Sequence, residues 1–274
     1  MDKLIFFVPG AYSIYTRFKG LKGLVSFIFK YFLIVLLASL ACAESFSILR
    51  FIIGIFLVFS LYEFGYIQND CETIKKESMP TMRLSAAELT FYEKWKACVY
   101  YVRAIEAIVL LVVSYIIDVD VRIVAYSLLL LPVFGVYNAI RCKWNLHVHV
   151  VLMFLRYSLP VFFACNHFDG MVSLWVLLVH PLLIFIELNV RGKFGYQNKF
   201  LKKYVLKVFD DSHVNAFRVK YFGILTVVAT LLTAADIHYI GYLWLVLCCM
   251  FFYSSVYVLS KFSCVKNREK ALNV

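Results

Sequence analysis

Acidic charge is what this 274-residue chain has least of. Asp and Glu number 17 against 28 Lys and Arg, charged residues are 16% of the whole, and the formal net charge is +11. With 63% hydrophobic residues and a mean hydropathy of +0.81, so little charge excludes a water-soluble globular domain and a disordered chain alike. The 5 prolines and 11 glycines cluster in no linker and no segment is of low complexity, so a string of domains is excluded and one domain is expected. Eight cysteines (Cys42, Cys71, Cys98, Cys142, Cys165, Cys248, Cys249, Cys264) contain no CxxC pair, which argues against a zinc site or a disulfide framework and leaves buried thiols acting as small hydrophobes.

What is abundant is apolar sequence in long runs. A helix crossing a hydrocarbon core of about 30 Å needs about 20 largely apolar residues, and eight runs qualify: 24–43, 47–67, 97–117, 122–140, 147–165, 171–190, 219–236 and 240–261. Short and abutting runs set the range at seven to nine. The expected fold is therefore an all-α polytopic transmembrane bundle. Its loops sort by charge. Of the 28 Lys and Arg, two (Arg50, Arg122) fall in outer connections and three (Lys30, Arg103, Arg156) within spans, leaving 23 on one side. That positive-inside bias predicts both termini in the cytoplasm and accounts for the basic balance through topology and anionic lipid, with no nucleic-acid partner.

Residues 1–23 carry a short apolar patch, Leu4 to Tyr15, broken by Pro9-Gly10. It is too short to span and no small-residue cleavage site follows, so it is expected to lie in the interface ahead of one transmembrane domain, 24–262, and a cytoplasmic tail, 263–274. Two inner connections, Gln68–Lys96 and Arg191–Arg218, are much longer than the outer turns, which makes the cytoplasmic face the expected working face. With no organelle address visible, a bacterial inner membrane is the expected location.

Chemistry-bearing residues concentrate where the second span meets the first long connection. Glu63, Tyr66 and Asp70 recur at steps of three and four and share a helix face. Such a stripe suits a divalent cation or a proton, or else a structural pair of Glu63 with Arg103, which Glu106 one turn away could also satisfy. Asn69, Asp70, Glu72 and Glu77 are hard oxygen donors of the kind Mg²⁺ uses beside a substrate's phosphates, and Lys75, Lys76 and Arg83 follow as candidate phosphate contacts. Mixed charge of this kind is also what a solvated loop contains. Arg156, inside the fifth span, calls for a partner, with Glu187 and Glu106 as candidates. His180, before Pro181 in the sixth span, is expected at a kink or an interhelical hydrogen bond.

The frame Gly65-Tyr-Ile-Gln-Asn69-Asp70 resembles the first aspartate-rich motif of the UbiA superfamily of intramembrane prenyltransferases. Asn69 and Asp70 match its Asn-Asp pair, Glu77 takes its third acidic place, and Thr73 replaces the second acid beside Glu72. Pro80 and Arg83-Leu84-Ser85 resemble the motif's end. Tyr137-Asn-Ala-Ile-Arg141-Cys-Lys143 resembles the family's basic turn between the fourth and fifth spans. At the end of the sixth span, where a second acidic motif belongs, stands Glu187-Leu-Asn-Val-Arg191-Gly-Lys193, with Arg191 in place of a carboxylate.

The resemblance implies a UbiA-like bundle transferring a prenyl group from a polyprenyl diphosphate to an acceptor, with Mg²⁺ as cofactor. It implies Asn69, Asp70 and Glu77 as catalytic residues, Asp70, Glu77 and Glu187 as metal ligands, and Lys75, Lys76, Arg83, Arg191 and Lys193 as phosphate contacts. The expected partners are the bilayer and an isoprenoid diphosphate or related phosphorylated lipid. The rivals are a non-catalytic transporter or lipid-binding membrane protein, and sugar-phosphate transfer onto a polyprenyl phosphate.

Overall fold

The computed structural model describes residues 3–42, 46–76, 81–140, 142–192, 197–205 and 211–272. Among them there is no strand, and eight helices are long and apolar enough to cross a membrane, which makes this an all-α integral membrane bundle. The helices are α1 (Ala11–Arg17), α2 (Gly20–Ala41), α3 (Ile48–Cys71), α4 (Ala86–Ile116), α5 (Val121–Ala139), α6 (Asn145–Cys165), α7 (Gly170–Val190), α8 (Lys199–Val205), α9 (Asp211–Ala235) and α10 (Ile240–Leu272). All except α1 and α8 contain one of the spans.

Local signals set the starts of several helices. Ser47 caps α3 by accepting the Arg50 amide, Asp120 caps α5 and Asp169 caps α7. A capping box formed by Ser85 and Glu88 begins α4 eleven residues before the apolar run. Part of the long connection expected over 68–96 is thus helix, continuous with the third span across a bend at Trp95.

Helix α3 is the hub, packing on α1, α4, α5 and α6, while α9 and α10 form a hairpin that joins the bundle through α10 against α2. At Gly54 an added Cβ would sit 2.8 Å from Phe163 Cβ and 3.1 Å from Pro160 Cα, so α3 and α6 meet there backbone to backbone, as small residues permit in membranes.

Two π-helical turns interrupt spans, Ile28–Phe32 in α2 and Leu178–Leu182 in α7. The second accommodates Pro181, which has no amide to donate. The first leaves the Lys30 carbonyl to accept the Tyr157 hydroxyl, and Tyr157 in turn stacks on His180, ring centroids 4.6 Å apart.

Candidate functional site

The acidic stripe of α3 holds the chain's own N-terminal segment. Gly10, at φ 86°, takes the left-handed conformation a glycine allows and turns the chain into α1. The amides of Gly10 and Ser13, at the start of that helix, donate to Glu63 Oε2 (3.1 Å) and Oε1 (2.7 Å). A carboxylate at a helix N-terminus answers both the free amides and the dipole. Arg103 Nη2 lies 3.0 Å from the same Glu63, and both side chains are fully buried. Its remaining donors go to Glu106 Oε2 (3.2 Å) and to the carbonyls of Ile5, Phe6 and Val8. The segment expected at the membrane interface is therefore docked on the bundle, with Phe6, Tyr12 and Ser13 buried.

Asp70 holds the other end of α1. Arg17 grips it with two parallel bonds, Nη1 to Oδ2 at 2.7 Å and Nη2 to Oδ1 at 2.9 Å, and its guanidinium lies 4.3 Å from the Tyr66 ring centroid. Arg83 Nη1 donates to Oδ1 at 3.1 Å, Tyr12 Oη to Oδ2 at 3.1 Å and Asn69 Nδ2 to Oδ1 at 3.2 Å. Burial, and then the Asp70 charge beside it, push the Tyr12 phenol well above the usual tyrosine range, so it stays a donor. Burial is the largest single influence and opposes the charge on Arg17, but the bonds and charge of Asp70 together with the neighbouring Tyr66 and Tyr12 phenols raise the guanidinium above its ordinary value.

Asn69, Asp70 and Arg83 are thus brought together, at the end of α3 where the resemblance puts the first motif. Lys75 is drawn off to Glu93 (2.5 Å) at the surface. Glu187 is gripped by Arg218, Nε to Oε1 at 2.6 Å and Nη2 to Oε2 at 2.7 Å, with Arg218 Nη1 on Asn215 Oδ1. Arg191 ends α7, its amide bonded to the Glu187 carbonyl. Glu77 and Lys193 lie outside the described residues, as does the side chain of Lys76. Among the described residues no three His, Cys, Asp or Glu side chains converge as a metal set. Both described acids expected as metal ligands have their oxygens taken by arginine, so the described residues as they stand do not fit a resident Mg²⁺.

Arg156 corrects one expectation. Glu106 and Glu187 are committed to Arg103 and Arg218, and Arg156 has no carboxylate partner among the described residues. Its guanidinium packs on the faces of Tyr31 (4.6 Å), Tyr62 (4.9 Å) and Phe59 (5.6 Å) and donates to Tyr66 Oη at 3.2 Å, while its Nε has no hydrogen-bond partner among the described residues. The residues missed from sequence at these two centres are Tyr12, Arg17 and Arg218. Only the buried acids of α3 and α7, which demand cations, could have pointed to them. No protein-family model, curated protein or solved structure matches this chain.

Proposed function

We propose that this protein is an intramembrane transferase of the UbiA prenyltransferase type, acting on a polyprenyl diphosphate from the cytoplasmic face of a bacterial inner membrane. One observation carries the reading: the Asn69-Asp70 pair stands at the end of a transmembrane helix with Arg17 and Arg83 against it. In the proposed reaction the bond between the allylic carbon and the diphosphate oxygen breaks with its electron pair going to the diphosphate. The acceptor bonds to that carbon and gives up a proton. Asp70 holds the Arg17 and Arg83 guanidinium groups in place, and their role is to present their remaining N–H donors to the diphosphate oxygens. Mg²⁺ belongs to the proposal through the resemblance alone, and no step is routed through it.

The test is binding of farnesyl diphosphate to the detergent-purified protein with and without Mg²⁺, in wild type, Asp70→Asn and Asp70→Ala. Saturable, metal-dependent binding lost in both variants supports the reading. Identical binding in all three sinks it. The specific observation behind a second reading, a non-catalytic lipid or anion binder, is that Asp70 and Glu187 are each locked by arginine. Metal-independent binding that survives in Asp70→Asn is its signature.

A further inference from the structure

The second span presents another row on its opposite side, apolar at one end and polar at the other. Phe64, Gln68 and Glu72 follow at steps of four, facing away from the Glu63, Tyr66 and Asp70 row that holds α1. Two adjoining cavities of about 430 and 470 Å³ run along it and share Gln68, Glu72, Lys96 and Gly135. The first has an apolar floor of Phe64, Leu131 and Phe134. The second is polar, with Thr73, Lys75 and Asn138.

The groove is built by backbone as well as side chains. At Trp95, α4 leaves helical geometry (φ −113°, ψ 16°) with neither proline nor glycine to cause it. Tyr92, Lys96 and Tyr100, three residues on one side of that bent helix, all reach Glu72 Oε1, at 2.5, 3.0 and 2.9 Å. Glu72 Oε2 takes no bond among the described residues. Asn138 donates to the Gly65 carbonyl (3.1 Å) and Gln68 Oε1 (2.9 Å), and its own Oδ1 is buried with no partner among the described residues. At Gly135 an added Cβ would meet nothing within 4 Å, so the space beside it is open.

Charge selects the occupant. Glu72 and Glu93 stand against Lys75 and Lys96, so both signs lie side by side and cancel. Of these, Glu72, Lys75 and Lys96 line the groove, so an anionic headgroup would meet the Glu72 acid and a cationic one two lysines, whereas a zwitterion can match both. The open acceptors, Glu72 Oε2 and Asn138 Oδ1, call for N–H donors. A primary ammonium carries three and a quaternary one none. We propose that this groove binds a phospholipid whose headgroup joins a phosphate to a primary ammonium, of the phosphoethanolamine kind. The ammonium goes to Glu72 and Asn138, the phosphate to Lys96 and Lys75, and an acyl chain lies over Phe64, Leu131 and Phe134. None of this depends on the transferase reading, and none of these residues touches Asp70.

The experiment is native mass spectrometry of the delipidated full chain in detergent, titrated with short-chain phosphatidylethanolamine, phosphatidylcholine and phosphatidylglycerol. One charge-assisted hydrogen bond made by the ethanolamine head and denied to choline corresponds to about tenfold in Kd, the preference expected for wild type. Gly135→Leu fills the open space with a better helix former, and it should abolish the preference while the lipid-free melting temperature does not fall. Glu72→Gln, at a partly exposed position, should do the same and carries the test if the leucine variant does not fold. Equal binding of ethanolamine and choline lipids, tightest binding of the glycerol lipid, or a preference that survives both substitutions overturns the proposal.

Discussion

Replacing Glu63 by glutamine tests the docking of the N-terminal segment at its strongest point. The carboxylate accepts two backbone amides, from Gly10 and Ser13, and faces Arg103 at 3.0 Å, all shielded from solvent. A glutamine keeps one oxygen. Its NH₂ must face either an amide or the guanidinium, so a donor meets a donor, and Arg103 retains only Glu106 as a charge partner. A hydrogen bond to a charged group contributes about 1.5–3 kcal/mol, and breaking a buried pair costs about 3–5 kcal/mol. The carbonyls of Ile5, Phe6 and Val8 still hold Arg103, which places the loss at the lower end, about 3 kcal/mol, or about a hundredfold in the docking equilibrium. Hydrogen exchange in one detergent is the assay, comparing Gly10–Arg17 with α6 as internal reference. Protection over Gly10–Arg17 should fall about a hundredfold while α6 is unchanged. If protection there shifts by less than about threefold, the carboxylate is not what holds α1. If α6 loses protection equally, Glu63 supports the whole bundle and the docking argument fails.

Two further substitutions probe the helix contacts. Gly65→Ala should lower the melting temperature, because the new Cβ would lie 2.1 Å from Phe134 Cγ and overpacking costs about 1–3 kcal/mol, while Gly135→Ala, in open space, should match or exceed wild type. Thermal unfolding in detergent separates them, and equal melting temperatures would count against the close α3–α5 approach. Arg218→Met should destabilise by about 3–5 kcal/mol, since it strands Glu187, and adding Glu187→Met should recover most of that loss. A double variant no better than the single one would mean that the pair does not act as a unit.

The spans were legible because their signal is simple: about twenty apolar residues have no other stable place than hydrocarbon. The expected third span began at 97 while the helix begins at Ala86, and the missed cue, Ser85 with Glu88 three residues on, is a short-range one hidden in a charged stretch. Both structural pairings weighed for Arg103, with Glu63 and with Glu106, occur together, since one guanidinium has donors enough for both. The docking of Leu4–Arg17 was not legible. Its amphipathic pattern suits a lipid surface and a protein surface equally, and only the placement of Glu63 and Asp70 two turns apart on α3 matches it to the length of α1. The partner of Glu187 was likewise hidden, because Arg218 lies 31 residues away on α9 and nothing local ties them together.

The charges inside the spans sort into two groups, and the difference bears on function. Glu63 and Glu106 share the one guanidinium of Arg103, and Glu187 pairs one to one with Arg218, so much of their desolvation is offset within the protein. Lys30 and Arg156 have no ion-pair partner among the described residues. Lys30 sits on a π-helical turn and Arg156 among aromatic faces. A cation at the centre of a transmembrane helix costs about 2.5–3.5 kcal/mol on insertion scales, and cation–π contacts return about 2 kcal/mol when desolvated. Among these charges Lys30, Arg103, Arg156 and Arg218 outnumber Glu63, Glu106 and Glu187 by one, and the two without an ion-pair partner among the described residues are both positive. That imbalance favours an anionic ligand over a cationic one on electrostatic grounds alone. The proposed phosphorylated substrate would meet that surplus through residues outside the Asn69-Asp70 frame.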